Sequence, residues 1–204
     1  MSAVPLPPLP PAPVSVSEEG YRPGGRSIAD IVDREHRQLL ALVDQLTGPD
    51  ATPQEGLAVL TAALSRHVSA EEQYLLPAVR AALPARADRV DAEIDADAAL
   101  LAALKGLSDE TLTEVAERVR RHVDGVGALV VELRAVATSE ELIRLGNRLE
   151  IAEEAAPTRP HPGTPATPPW NRIVEPAVGV VDKVRDAVTR RPTYLADLPE
   201  PPRD

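Results

Sequence analysis

The stretch Arg66–Arg80, RHVSAEEQYLLPAVR, decides how this chain folds. Read outward at helical spacing it belongs to a stripe, Leu57, Leu60, Leu64, His67, Glu71, Tyr74 and Ala78, that is apolar except near its middle. Residues three and four apart share one face of an α-helix, so the stripe faces a core. His67 and Glu71, one turn apart, enter that core side by side. The helix that carries them is expected over 53–82. Thr52 suits its N-cap, Pro53 its first position and Glu55 its third. Pro77 is expected to bend the last turn, and Pro84 to end the helix.

The same design recurs on both sides. A helix over 27–47 opens at Ser27, with Asp30 placed as in a capping box, and carries Val32, His36, Leu39 and Val43. A helix over 87–105 stops at Gly106 and carries Val90, Ile94, Asp97, Leu101 and Leu104. A fourth starts near Ser108 or Asp109 and runs to about Ala137. Its stripe is Leu112, Val115, Val119, His122, Val126, Leu129 and Leu133, weakened by Gly125 and Gly127. Thr138 with Glu141 makes another capping box, opening a shorter fifth helix to about Glu154. A last helix over 174–190 is marginal alone and is expected to dock on the others. Short connections favour antiparallel neighbours. The expected fold is all-α: an antiparallel up-down four-helix bundle with a short fifth helix and an extra C-terminal helix.

Composition agrees. The 204 residues include no Phe, one Trp and three Tyr, so Ala, Leu and Val must fill the interior, as helix-on-helix packing allows. The absence of Cys excludes disulfides, thiolate metal sites and a cysteine nucleophile. A net charge of −10 without a basic face argues against nucleic acid. Prolines in the first residues oppose both a signal peptide and a membrane span, and no apolar run approaches the ~20 residues a span needs. A cytoplasmic protein is the expectation. Proline also marks the divisions: a Pro-rich disordered arm over 1–25, the bundle over 26–156, a Pro-rich linker over 157–172, an amphipathic helix over 173–190 and a loose tail over 191–204. His161, in the linker, is expected in solvent. No phosphate loop, dinucleotide fingerprint or nucleophile elbow is present, so a conventional enzyme ranks lowest.

The informative residues are those that interrupt the stripes. His36, His67, Glu71, Asp97 and His122 all fall near mid-helix, on four helices. Burying one imidazole or carboxylate without a partner costs several kcal/mol, so five at one height point to a convergent site. Imidazoles with carboxylates suit iron, manganese or zinc. Singly, each has a plainer reading. A lone His36 could be a hydrogen-bonded core histidine, and a small rotation of its acid-rich helix would expose Asp97. Tyr74 is expected beside the site, packing with its hydroxyl on a partner.

The segments DREHRQLLALVDQL around His36, RHVSAEEQYLLPAVR around His67 and Glu71, and RVRRHVDG around His122 resemble the hemerythrin-like HHE cation-binding family. The tail AAPTRPHPGTPATPPW is similar to that of its actinobacterial members. The resemblance implies a four-helix bundle whose histidines and two bridging carboxylates hold two irons. His36, His67, Glu71 and His122 match that ligand pattern. Asp97 stands where the pattern has a histidine, and Val126 where it has the second bridging Glu. The resemblance therefore implies one iron, or a weak two-iron centre, in sensing or buffering iron, oxygen, nitric oxide or peroxide. The partners implied are a metal ion and a small gaseous or peroxide ligand. The alternative is a metal-free bundle acting as a protein-interaction domain.

Overall fold

The computed structural model describes residues 23–49, 51, 53–161, 179–183, 185–187, 189 and 191–194. Residues 1–22, Asp50, Thr52, 162–178, Val184, Val188, Arg190 and 195–204 lie outside the described residues. With them go most of the expected arm, the Thr52 cap, most of the linker, the start of the last helix and most of the tail.

The described chain is all-helical. Helix α1 spans Ile28–Thr47. Helix α2, Pro53–Ala70, runs into a π-helical turn, Glu71–Leu75, and on into α3, Leu76–Ala82. A short 3₁₀ turn, Pro84–Arg86, leads to α4, Ala87–Lys105. Helix α5 is Leu112–Val136 and α6 is Ser139–Ala155.

Cross-helix pairs fix the directions. Arg120 meets Asp44 at 2.7 Å and Arg134 meets Asp30 at 2.7 Å, so α5 runs antiparallel to α1. Arg89 meets Glu132 at 3.1 Å while His122 meets Asp97 at 2.7 Å, so α4 and α5 are antiparallel too. Gly56 lies against Leu46 near one end of α2, while His67, near its other end, meets Glu35 of α1 at 3.0 Å. These relations are those of the expected up-down bundle.

Leu, Val, Ile and Ala fill the interior in two clusters. One gathers Ile28, Val32, Leu76, Val79, Val90, Val126 and Leu129 at one end of the bundle. The other gathers Leu39, Val43, Leu60, Leu64, Leu100, Val115 and Val119 at the opposite end. Between them, at the level of residue 36 on α1, 67–71 on α2, 97 on α4 and 122 on α5, the core is polar. Helix α6 lies outside the four, against α1 and α2, and is held close by a bare backbone. A Cβ on Gly146 would collide with Arg26 O and come within 2.9 Å of Ile28 N.

Four local features differ from the expectations. The 53–82 helix is not merely bent. Pro77 has no N–H for the carbonyl of Gln73, and the ladder widens just before it: Leu76 N–H donates to Glu71 O, five residues back. Helix α5 begins at Leu112, later than Ser108 or Asp109. The Thr111 hydroxyl knots the preceding turn, accepting from Ser108 N at 2.9 Å and donating to Gly106 O at 3.0 Å, which keeps that turn out of the helix. At Ser27 half of the capping box forms. Its hydroxyl accepts from Asp30 N at 3.1 Å, but the Asp30 carboxylate turns to Arg134. Thr138 and Glu141 form the complete box.

His161 is the fourth difference. Its Nε2 lies 3.1 Å from Asp182 Oδ2. Asp182 and Asp186, both buried, gather Thr158, Arg159, His161 and Arg191 around them. Asp182 thus pairs with a histidine that stays at the surface, its side chain 37 % exposed. Arg191 reaches on to Ala58 O at 3.1 Å, which ties the C-terminal segment to α2.

Candidate metal centre

Each site residue reaches the polar layer because its helix leaves it no other direction. His36 continues the α1 stripe between Val32 and Leu39, and His122 the α5 stripe between Val119 and Val126. Glu71 is the first residue of the π turn and is fully buried. The wider turn also buries Glu72 and Gln73, which a regular helix would spread around its circumference.

The three imidazoles converge on one carboxylate. His67 Nε2 lies 3.2 Å and His36 Nε2 3.5 Å from Glu71 Oε1, and His122 Nε2 lies 3.3 Å from Glu71 Oε2. The rings stand edge to face, with centroids 5.0, 5.4 and 5.5 Å apart. None of the four residues is more than 5 % exposed. All three Nε2 atoms and both Glu71 oxygens are buried without hydrogen-bond geometry to any partner. Buried polar atoms are nearly always satisfied, so five orphans aimed at one space are the signature of a missing shared partner. One candidate ligand atom from each of His36, His67, Glu71 and His122 lies within 4.8 Å of all the others.

Carboxylates stand behind two of the rings. Asp97 Oδ1 is 2.7 Å from His122 Nδ1, and Glu35 Oε2 is 3.0 Å from His67 Nδ1. Each therefore fixes which nitrogen carries the proton and leaves Nε2 free to coordinate, the usual outer arrangement of metal-bound histidines. Asp97 is fully buried but stands one step back from the four, on the far edge of His122. Tyr74 is half-buried and packs against the core cluster below the polar layer. Val126 is fully buried, and Asp124, two residues back and on the opposite face of α5, is exposed.

The electrostatics follow from this crowding. Burial alone would lower the His67 pKa, but the Glu71 and Glu35 carboxylates outweigh it and hold it well above 6.5. For His122, Asp97 and Glu71 overcome burial and push the value up to about 10. Burial opposes ionisation of Glu71, yet the surrounding imidazolium rings hold its pKa well below 4.5. His36 has no such backing, and burial lowers it. On the outer side, burial and the adjacent Glu35 push Glu153 up to about 8.

Glu35 and Glu153 were not marked by the main stripes. A signal for each exists on a flanking one. Glu35 follows Ile31 by four residues and precedes Leu42 by seven, both buried; Glu153 follows Leu149 by four. Both carboxylates thus continue buried faces that point between α1, α2 and α6.

The family model of the hemerythrin HHE cation binding domain matches residues 27–133, more than half of the 204-residue chain. Comparison with curated proteins and with solved structures returns no significant match. No helix among the described residues is long and apolar enough to cross a membrane.

Proposed function

The chain belongs to the hemerythrin HHE cation-binding family, and from that premise we propose that it is a single-iron protein that senses or buffers iron, oxygen, nitric oxide or peroxide in the cytoplasm. The observation that carries this reading is the set of five orphaned atoms: three Nε2 and two carboxylate oxygens around one space. His36, His67, His122 and Glu71 would hold the ion, with Glu35 and Asp97 fixing the tautomers of His67 and His122. The donor set fits, since imidazole and carboxylate together suit iron. An iron there would supply open coordination positions for a small ligand. The apolar clusters on either side exclude bulk water from the layer.

The set fits one ion better than two. Two ferric ions about 3–4 Å apart need bridging anions to offset their repulsion. Glu71 is the one carboxylate among the four, and Val126, at the position the family resemblance gives to a second bridging Glu, is apolar and fully buried. The near-ultraviolet absorption of iron-loaded protein tests the functional reading. It is followed while oxygen, nitric oxide or hydrogen peroxide is added. A reversible change with at least one of them is expected. An iron-loaded spectrum indifferent to all three contradicts a sensing role and leaves iron buffering.

A further inference from the structure

A pocket of about 460 Å³ opens over the outer edge of His67, lined by Glu35, Arg66, Glu153, Glu154 and Tyr194 among others. We propose that this pocket is where the metal is taken up: a divalent cation binds first to Glu35, Glu153 and Nδ1 of His67, and passes from there to the buried centre. The inference rests on the metal-binding reading above and adds the route to it.

The geometry supplies a second cluster distinct from the buried one. Ligand atoms of Glu35, His67 and Glu153 all lie within 4.8 Å of one another. His67 Nδ1 is 3.0 Å from Glu35 and 4.0 Å from Glu153. A neutral imidazole needs one acceptor at Nδ1, and Glu35 Oε2 is that acceptor. Arg34 takes the other Glu35 oxygen at 3.2 Å. The Glu153 carboxyl beside them satisfies no further donor on the ring, and its oxygen completes a three-ligand set with Glu35 and His67. The three donors are also graded in exposure. The Glu153 side chain is 22 % exposed, that of Glu35 14 % and that of His67 3 %. A hydrated ion can exchange its waters for these ligands one at a time as it moves inward.

His67 is the link between the two clusters. A neutral imidazole has one lone pair, so the ring serves the outer cluster through Nδ1 or the inner one through Nε2, never both. When the ion moves in, the ring proton moves to Nδ1, on the Glu35 side. A second opening to the layer among the described residues is less suited to a cation. It reaches His122 past Ala92, Ala96 and Glu93, between Arg118 and Arg121.

Stopped-flow uptake of Co²⁺ by the full chain, read by the visible bands of the bound ion, tests the route. Glu153→Gln should take up Co²⁺ roughly tenfold more slowly or worse, because it removes the outermost ionisable oxygen ligand, and charge in a cleft can raise on-rates by that much. Its final occupancy should equal the parent's. Glu153→Asp, which keeps the ionisable carboxyl, should recover much of the rate. Coincident metal-free melting curves establish that the variants fold alike. Parent-like uptake by Glu153→Gln overturns the route while the centre stands. So does slowing by Ala96→Leu, at the opposite opening, with none by Glu153→Gln. A parent that binds no Co²⁺ at all overturns the centre itself.

Discussion

Asp97 Oδ1 lies 2.7 Å from His122 Nδ1, on the opposite edge of the ring from the Nε2 that faces Glu71. The position that the family pattern gives to a histidine thus holds a residue that orients another histidine. Asp97→Asn keeps the size and loses the charge. Removing such an outer partner typically costs 10–100-fold in metal affinity, and a loss of about that size is expected here. Competition for Zn²⁺ against a chromophoric chelator measures it. An unchanged affinity would mean that Asp97 does not act through His122.

The pH dependence of the metal-free protein follows from the same pairs. His67 and His122 have folded pKa values above 6.5, so their contribution is complete below that value. It fades as pH climbs through the folded values, about 10 for His122. Glu71 is depressed below 4.5, so its contribution is present above 4.5 and lost as acid passes through its folded value. His36, lowered from 6.5, works against stability in acid. Melting of metal-free protein should therefore weaken from about pH 6 to about pH 9. Metal must displace the ring protons, so the rise in melting temperature on adding metal should grow over the same interval. A metal-free protein that gains stability from about pH 6 to about pH 9 contradicts the buried imidazolium pairs.

His67→Leu with Glu71→Leu separates a metal site from a relic. Without metal, replacing a buried ion pair by apolar residues is neutral or stabilising by about 1–4 kcal/mol. With metal at about 100 times its dissociation constant, the parent gains roughly 2.7 kcal/mol that the variant forfeits. The variant should melt above the parent in chelator and below it in Fe(II). A variant that is the more stable protein in both conditions points to the metal-free bundle.

Gly146→Ala tests how α6 is seated. The new methyl would strike the backbone at Arg26 and Ile28, which a rotamer change cannot relieve. A loss of about 1–3 kcal/mol is expected, despite the better helix propensity of Ala. The urea midpoint reads it. A midpoint equal to or above the parent's would show that α6 does not pack this closely on the start of α1.

The bundle was legible because each stripe is long and regular, from Val32 to Val43 and from Leu112 to Leu133. The four converging residues were legible because a buried His or Glu stands out against Leu and Val. The π turn was hidden: Pro77 announces a lost hydrogen bond, and periodicity does not say where the ladder widens to absorb it. For His122 the level was legible and the exact contact was not. Spacing along α5 puts it in the layer, but only the packing of α1, α2 and α5 brings its Nε2 to the same carboxylate as His36 and His67. Glu35 and Glu153 escaped because each lies on the flank of its helix, where an acidic residue usually meets water. The partner of His161 lies 21 residues away, beyond any local pattern.

Metal analysis of the full chain after anaerobic reconstitution with Fe(II) tests the central claim most directly. Four ligands, three imidazoles and a single carboxylate, predict one iron per chain, lost on Glu71→Ala. Two irons per chain, or none, would contradict it.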